Sequence, residues 1–458
     1  MFMDDMGTLT LEKFQRDKYE VLSEAQILDK FKKTMISHEW SFEGVTPSQT
    51  SKLTHCYHRY PAKFIPQIVE KLMDEYLVGY GHFHVNDLFM GSGTTLACAI
   101  TRGYFASGTD INYSAELITK AKCTPIEPIF LKNKIGKFLD SLYFLEDSAL
   151  FSVNKHKPFI PESKIERIKY WFEPKTMEEL GIILARINRE GDENFKLFLK
   201  CCFSHILKTC SRWLMASTKP TIDKNKNIFK PLNVFKKHLR KMIQGNEAFW
   251  AIVPKDVKRN INRYLTIRRR DARHQPVKDN SIDIQITSSP YVTSYEYADL
   301  HQLTTIWLES EVDLKEYKKQ FIGTSAKTNG ARILKSKIGK DIENKLQKVD
   351  KKMADEVEAF FVDMQECFEE TFRILKNGGR CCYVIGNTKL KGVDILNAEV
   401  FAESMQYSGL KIDRIIKREI PSKILPSKRD AKTGRFAAND NADSFAYPTE
   451  YIVIGRKI

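Results

Sequence analysis

Two short segments hold side chains whose types and spacing could do chemistry. The first, Asp87-Leu-Phe-Met-Gly-Ser-Gly-Thr-Thr95, is an acid followed by a glycine turn. A phosphate-gripping loop needs a lysine after the second glycine, where Thr94 stands. A dinucleotide fingerprint needs a third small residue, where Leu96 stands. What remains is a turn whose Gly91 and Gly93 admit a bulky uncharged or cationic nucleoside against bare backbone, with Asp87 placing a negative charge at its mouth. Asp110 lies about 20 residues beyond, the spacing at which an acid closing a second parallel strand reaches ribose hydroxyls. The second segment, Thr287-Ser-Ser-Pro-Tyr291, is by itself an ordinary turn, since Ser and Pro are turn formers. Taken with the first it reads differently. A proline-fixed turn presents Ser288 and nearby carbonyls as acceptors beside an aromatic face, Tyr291, and can hold a flat base bearing an amino group.

Both segments need strands to carry them. An amphipathic helix over Pro66 to Tyr76 precedes a strand at Phe83 to Leu88, the glycine turn, and an apolar helix from Leu96 to Ile100. A second strand, Tyr104 to Thr109, ends in Asp110. From Cys123 to Pro254 helical periodicity takes over, at Met177 to Ile187, Phe195 to Leu214 and Val234 to Ile243. Strands resume at Tyr264 to Ile267 and Ile282 to Ile286. Residues 311 to 352 read as a mobile lysine-rich loop and the start of a charged helix. A helix from Ala354 to Leu375, stopped by Gly378 and Gly379, leads to a strand at Cys381 to Ile385, a helix near Asn397 to Tyr407, and strands at Lys411 to Ile420 and Tyr451 to Gly455. The expected fold is α/β, a doubly wound mostly parallel sheet with an inserted helical domain. Its expected parts are an N-terminal arm or cap (1–54), a cofactor-binding part (55–122), a basic helical insert (123–260) and a catalytic part (261–458).

The 458 residues, 42% of them hydrophobic, are enough for about two to three domains and exclude a globally disordered chain. No long apolar run or secretory start is present, and nine scattered cysteines without CxxC pairs predict reduced thiols and no metal site. Cys201-Cys202 reads as helix core and Cys381-Cys382 as a sheet strand. The expected location is the cytoplasm, with no membrane partner. The net charge is +15, and Lys208 to Arg273 has 18 Lys and Arg against Asp223, Glu247, Asp256 and Asp271, or +14. That concentration favours a polyanion partner over a merely solvated face.

The two segments resemble the cofactor and catalytic motifs of the S-adenosylmethionine-dependent DNA amino-methyltransferases, and in particular the cytosine-N(4) branch, whose catalytic motif is Thr-Ser-Pro-Pro-Tyr. His58-Arg-Tyr-Pro-Ala-Lys-Phe64, Asp271-Ala-Arg273, Tyr297-Ala-Asp-Leu-His301, Trp307-Leu308 and Phe321-Ile-Gly-Thr324 are similar to further family segments. The likeness covers about 55 to 125 and 260 to 458. It implies a methyltransferase core acting on double-stranded DNA, nucleoid-associated in a prokaryote and accompanied by a cognate restriction endonuclease. Ser288, Ser289, Pro290 and Tyr291 would serve catalysis. Tyr60, Lys63, Asp87, Phe89, Gly91, Gly93, Thr94, Thr95, Asp110 and Asp271 would serve S-adenosyl-L-methionine. One departure is plain: Ser289 stands where the family usually has Pro, and its backbone carbonyl can still accept a hydrogen bond. The basic insert and the loop Lys428 to Arg435 would clamp DNA. The alternatives are adenine-N(6) methylation, a catalytically silent DNA-binding protein of the same fold, and an RNA methyltransferase.

Overall fold

The computed structural model describes residues 21–60, 65–79, 81–142, 157–217, 219–292, 297–309, 312–324, 333–420, 428–429, 444–445 and 449–458. Seven strands form one sheet: β1 (His84–Asp87), β2 (Phe105–Asp110), β3 (Leu265–Arg269), β4 (Ile282–Ser288), β5 (Leu375–Ile385), β6 (Leu410–Glu419) and β7 (Thr449–Lys457). Their order is β3-β2-β1-β4-β5-β7-β6. Strands β3 to β5 pair in parallel, and only β7 runs antiparallel, to both β5 and β6. The winding reverses between β1 and β4, so the crevice beyond their carboxyl ends is where such a sheet binds ligands. Asp87 ends β1, Asp110 ends β2 and Ser288 ends β4, which brings all three to that edge. The α/β class and its split by a helical stretch are as expected.

The helix Thr94–Thr101 is buried from Thr94 through Ile100, because a helix starting straight off the β1 turn must pack flat on the sheet. Thr95 Oγ1 donates to the Ile286 carbonyl at 3.1 Å and ties this helix to β4. Between β2 and β3 the chain forms the helices Pro128–Asp140, Ile165–Trp171, Pro174–Asn188, Glu193–Cys210 and Pro231–Ile252. Their apolar faces share one core with Tyr57, Ile118, Leu303, Ile306 and Trp307, so the segments flanking both motifs are packed into the helical stretch. Each such buried side chain contributes roughly 1.5–3 kcal/mol.

The described residues from 21 to 42 pack on the sheet. Ile27 and Phe31 of the helix Glu24–Lys33 join the core, with Phe31 edge-on to Tyr451 at 5.2 Å. Ile36 bridges Lys417 on the edge strand β6, and Arg418, itself paired with Glu450, donates to the Trp40 carbonyl at 2.6 Å. An otherwise open edge is thereby covered.

Two local expectations are corrected. Within 311–352 the helices Leu314–Lys319 and Lys337–Gln347 form, because Ile338, Ile342 and Leu346 recur on one face and are buried despite the lysines between them. Gly378 and Gly379 do not stop the preceding helix, which ends at Ile374. They lie within β5 at an irregularity in its pairing with β4, where a Cβ on Gly379 would fall 2.9 Å from the Lys376 carbonyl.

Candidate active site

An open cleft, about 820 Å³ of empty space with the adjoining solvent counted in, lies at the β1/β4 crevice. It brings together Tyr60, Phe89, Gly91, Thr94, Asp110, Asp271, Ser288 and Pro290, from segments more than 200 residues apart.

The glycine turn is held from both sides. Gly91 has φ +46° and Gly93 φ +69°, conformations other residues adopt only with strain. A Cβ on Gly91 would sit 3.1 Å from the Tyr60 ring. A Cβ on Gly93 would sit 2.5 Å from Thr119 Cγ2, so this glycine is required by the helix beneath it and not by the cleft. That helix, Tyr113–Cys123, also supplies Thr119 Oγ1, which donates to the Gly91 carbonyl at 2.9 Å, and buried Lys122, whose Nζ donates to the Ser92 carbonyl at 2.6 Å. Sequence reasoning missed both residues. A lysine and a threonine on the buried face of a helix were the available signal.

Asp110 is a cleft residue. Its Oδ2 accepts from the Gly91 amide at 3.0 Å and its Oδ1 from the Asn112 amide at 2.8 Å, which fixes the carboxyl against the turn. Burial raises its pKa to about 6. Asp87, expected at the mouth, is buried under the turn: Oδ1 accepts from Thr287 Oγ1 at 2.7 Å and from the Phe89 amide at 3.1 Å. Burial pushes it up to about 7. It joins the two motifs and is not among the residues lining the cleft. Thr95 is turned inward to β4 in the same way. Asp271 does line the cleft, while Arg273 holds its carboxylate through Nε at 2.9 Å and Nη2 at 2.6 Å.

In the second motif Ser288 and Pro290 line the cleft. Ser289 is buried, its hydroxyl without a hydrogen-bond partner among the described residues, and Tyr291 is half-buried against the core that contains Ile322 and Phe360. Lys63 lies outside the described residues, as does most of Lys428 to Arg435. Leu88, Met90, Ser92, Ile111, Ala272, Gln320, Phe321 and Ile322 complete the walls and were not singled out as site residues from the sequence.

Behind Tyr60 stand four histidines. Tyr60 stacks on His301 at 4.7 Å, and His205 stacks on His238 at 3.6 Å with His58 edge-on at 5.3 Å. Burial depresses all of them: His301 and His238 to about 4, His58 to about 3, and His205 well below its ordinary value. They are neutral spacers, and among the described residues no cluster could hold a metal ion.

The basic segment divides into two groups. Lys208, Lys226, Arg269 and Arg273 are spent on carbonyls or acids within the fold. Lys219, Lys224, Lys237, Arg240, Lys241, Lys255, Arg259, Arg263, Arg268 and Arg270 are exposed. All nine cysteines are buried and unpaired with one another.

No family model matches the chain. It is 28% identical over 428 residues to the type II methyltransferase M.MvaI of Kocuria varians, covering 88% of this chain and 91% of that one. It is 24% identical to the type II methyltransferase M.MjaII of Methanocaldococcus jannaschii (63% and 68% covered) and 22% identical to M.BsoBI of Geobacillus stearothermophilus (84% and 83%). Among solved structures, a geranyl diphosphate methyltransferase complexed with GPP and sinefungin aligns over 85% of this chain and 78% of its own, at 8% identity and TM-score 0.31. A candidate DNA modification methylase of Thermus thermophilus aligns over 22% and 37%, at 20% identity and TM-score 0.16. Along most of its length, then, the chain is similar in sequence to type II methyltransferases.

Proposed function

We propose that the protein is a site-specific DNA methyltransferase that moves the methyl group of S-adenosylmethionine to the 4-amino group of a cytosine flipped out of duplex DNA, as the modification member of a restriction system. The observation that carries this reading is the meeting of Asp110, the glycine turn and Ser288 in one cleft at the winding reversal. The similarity to type II methyltransferases over 88% of the chain supports it.

The cofactor, when bound, supplies an electrophilic sulfonium methyl. Asp110 accepts hydrogen bonds from the ribose hydroxyls, and the Gly91 turn leaves room for the amino-acid tail. Ser288 Oγ and the Ser289 carbonyl accept the two amino hydrogens of the base, which favours a tetrahedral nitrogen and frees its lone pair. The nitrogen-to-methyl bond forms as the methyl-to-sulfur bond breaks, and one amino proton is then lost to water. The leaving group departs neutral, so positioning and electrostatics suffice and no strong base is required. A stacked base cannot reach the cleft, hence the flipping, with Tyr291 stacking on the extruded base. The exposed cations between Lys219 and Arg270 neutralise phosphates.

The test is incubation with mixed-sequence duplex DNA and methyl-labelled S-adenosylmethionine, followed by nucleoside mass spectrometry, beside Ser288→Ala. Label in 4-methylcytosine that the variant loses is the expected result. Label in 6-methyladenine would keep the mechanism and overturn the base, and no label on DNA would overturn the function.

A further inference from the structure

We propose that Lys122 and Thr119 are the positioning residues of the glycine turn. By holding its carbonyls from behind they keep its amide edge toward the cleft, and so set the affinity for the anionic end of the cofactor's amino-acid tail. This rests on the cofactor reading above and assigns the residues that shape the turn without touching the ligand.

The polar groups of the turn divide by sign. Thr119 Oγ1 donates to the Gly91 carbonyl at 2.9 Å, and Lys122 Nζ to the Ser92 carbonyl at 2.6 Å. The Gly93 amide closes onto the Met90 carbonyl at 2.6 Å. The carbonyls of Met90, Gly91 and Ser92 are thus all satisfied within the fold. The donors are not. Among the described residues the Ser92 amide has no acceptor, and the buried Ser92 hydroxyl has no partner.

Peptide planarity fixes where these donors face. In a trans peptide the C=O and N–H point in opposite directions. The Gly91 carbonyl points at the helix Tyr113–Cys123, so the Ser92 amide points away from it, on the side where Gly91, Ser92 and Thr94 line the cleft. The Thr94 amide, in the first turn of the helix Thr94–Thr101, also has no acceptor inside that helix. An edge of amides with its carbonyls turned away suits a carboxylate.

Thr119 and Lys122 are 0% and 1% exposed and are not among the residues lining the cleft, so they act only through the turn. Without the ammonium, the Ser92 carbonyl is buried and unpaired. Its peptide regains a partner by turning toward the cleft, which Gly93 on its far side permits, and the carbonyl then opposes a carboxylate there.

The probes are sinefungin, which carries the amino-acid tail, and 5′-methylthioadenosine, which lacks it. Both are titrated calorimetrically against wild type, Lys122→Met and Thr119→Val. Lys122→Met should raise the sinefungin Kd about tenfold and Thr119→Val about threefold, the weights of a charged and a neutral hydrogen bond. Both variants should bind 5′-methylthioadenosine within about twofold of wild type, and the KM for S-adenosylmethionine on duplex DNA should rise with kcat at saturation nearly unchanged. Equal losses for the two ligands, as a merely structural lysine would give, or wild-type sinefungin affinity in a folded Lys122→Met, would overturn the assignment and leave the cofactor reading standing. Should Lys122→Met fail to fold, Thr119→Val carries the same test. Failure of wild type to bind sinefungin would overturn the cofactor reading and this assignment with it.

Discussion

Asp110 offers a sharp quantitative test, because under the proposed function its carboxyl is ionised to accept two hydrogen bonds from a ribose diol, and burial raises its pKa to about 6. The ionised fraction is nearly full at pH 7 and about one part in eleven at pH 5, so the Kd for sinefungin should rise about tenfold between them, or about 1.4 kcal/mol. Calorimetry at pH 6 in buffers of different ionisation enthalpy should show about half a proton released per ligand bound. Asp110→Asn should bind weakly at pH 7 and lose the pH dependence. Asp87→Asn should keep it, because Asp87 is buried beneath the turn and bonded to Thr287. The histidines behind Tyr60 stay neutral over this range, with His301 at about 4, so the cleft wall does not change its charge. A flat wild-type profile, or the same slope in Asp110→Asn, would refute the assignment of this carboxylate to the ribose.

Gly93→Ala should lower the melting temperature by several degrees, since a φ of +69° disfavours a side chain by about 1–2 kcal/mol and Thr119 stands in the way; an unchanged melt would remove the argument for the glycine. The buried histidines make the protein acid-labile. Their folded pKa values lie below the unfolded 6.5, so the stability they confer is intact above that pH and is lost as pH falls toward about 4. Asp87 and Asp110, raised to about 7 and about 6, oppose part of this loss. Replacing His238 by Gln should reduce the slope of stability against pH by about 1.4 kcal/mol per unit between pH 6.5 and 5, read from urea melts; equal slopes would count against a neutral buried imidazole. If the exposed helix face bearing Arg240 and Lys241 touches DNA phosphates, Arg240→Gln with Lys241→Gln should make the log–log salt slope of DNA binding shallower by about two, and an unchanged slope would move the interface elsewhere.

What the sequence made legible was local. The strand–turn–helix around Gly91 and the helix Asn397–Tyr407 follow from glycine placement and apolar period. The lysines of 337–348 masked a helix because solvated charges hide the sparse apolar face that Ile338, Ile342 and Leu346 supply. Asp87 was misplaced for a related reason: a carboxylate reads as a surface charge until a distant hydroxyl, Thr287, is seen to receive it. Phe321 lies in a segment that the resemblance marks, while Tyr317 carries no local signature, since its bond to the Ile111 carbonyl arises only from docking on the loop after Asp110. The basic segment was read by its sum, and a sum cannot separate Lys226, bonded to two carbonyls, from exposed Arg240.

The seam between β1 and β4 has a consequence for how the two motifs work. Asp87 ends β1 and Thr287 lies one residue before the end of β4, and the Phe89 amide donates to both side chains, so the two motifs meet at this bond. A helical stretch of more than a hundred residues separates these motifs in the chain, yet Leu303, Ile306 and Trp307, just beyond the second motif, are packed inside its core. The insert therefore belongs mechanically to both halves of the cleft. Under the proposed function, the nucleoside cleft and the phosphate-binding cations are joined through the core that the helical stretch shares with the segments flanking both motifs.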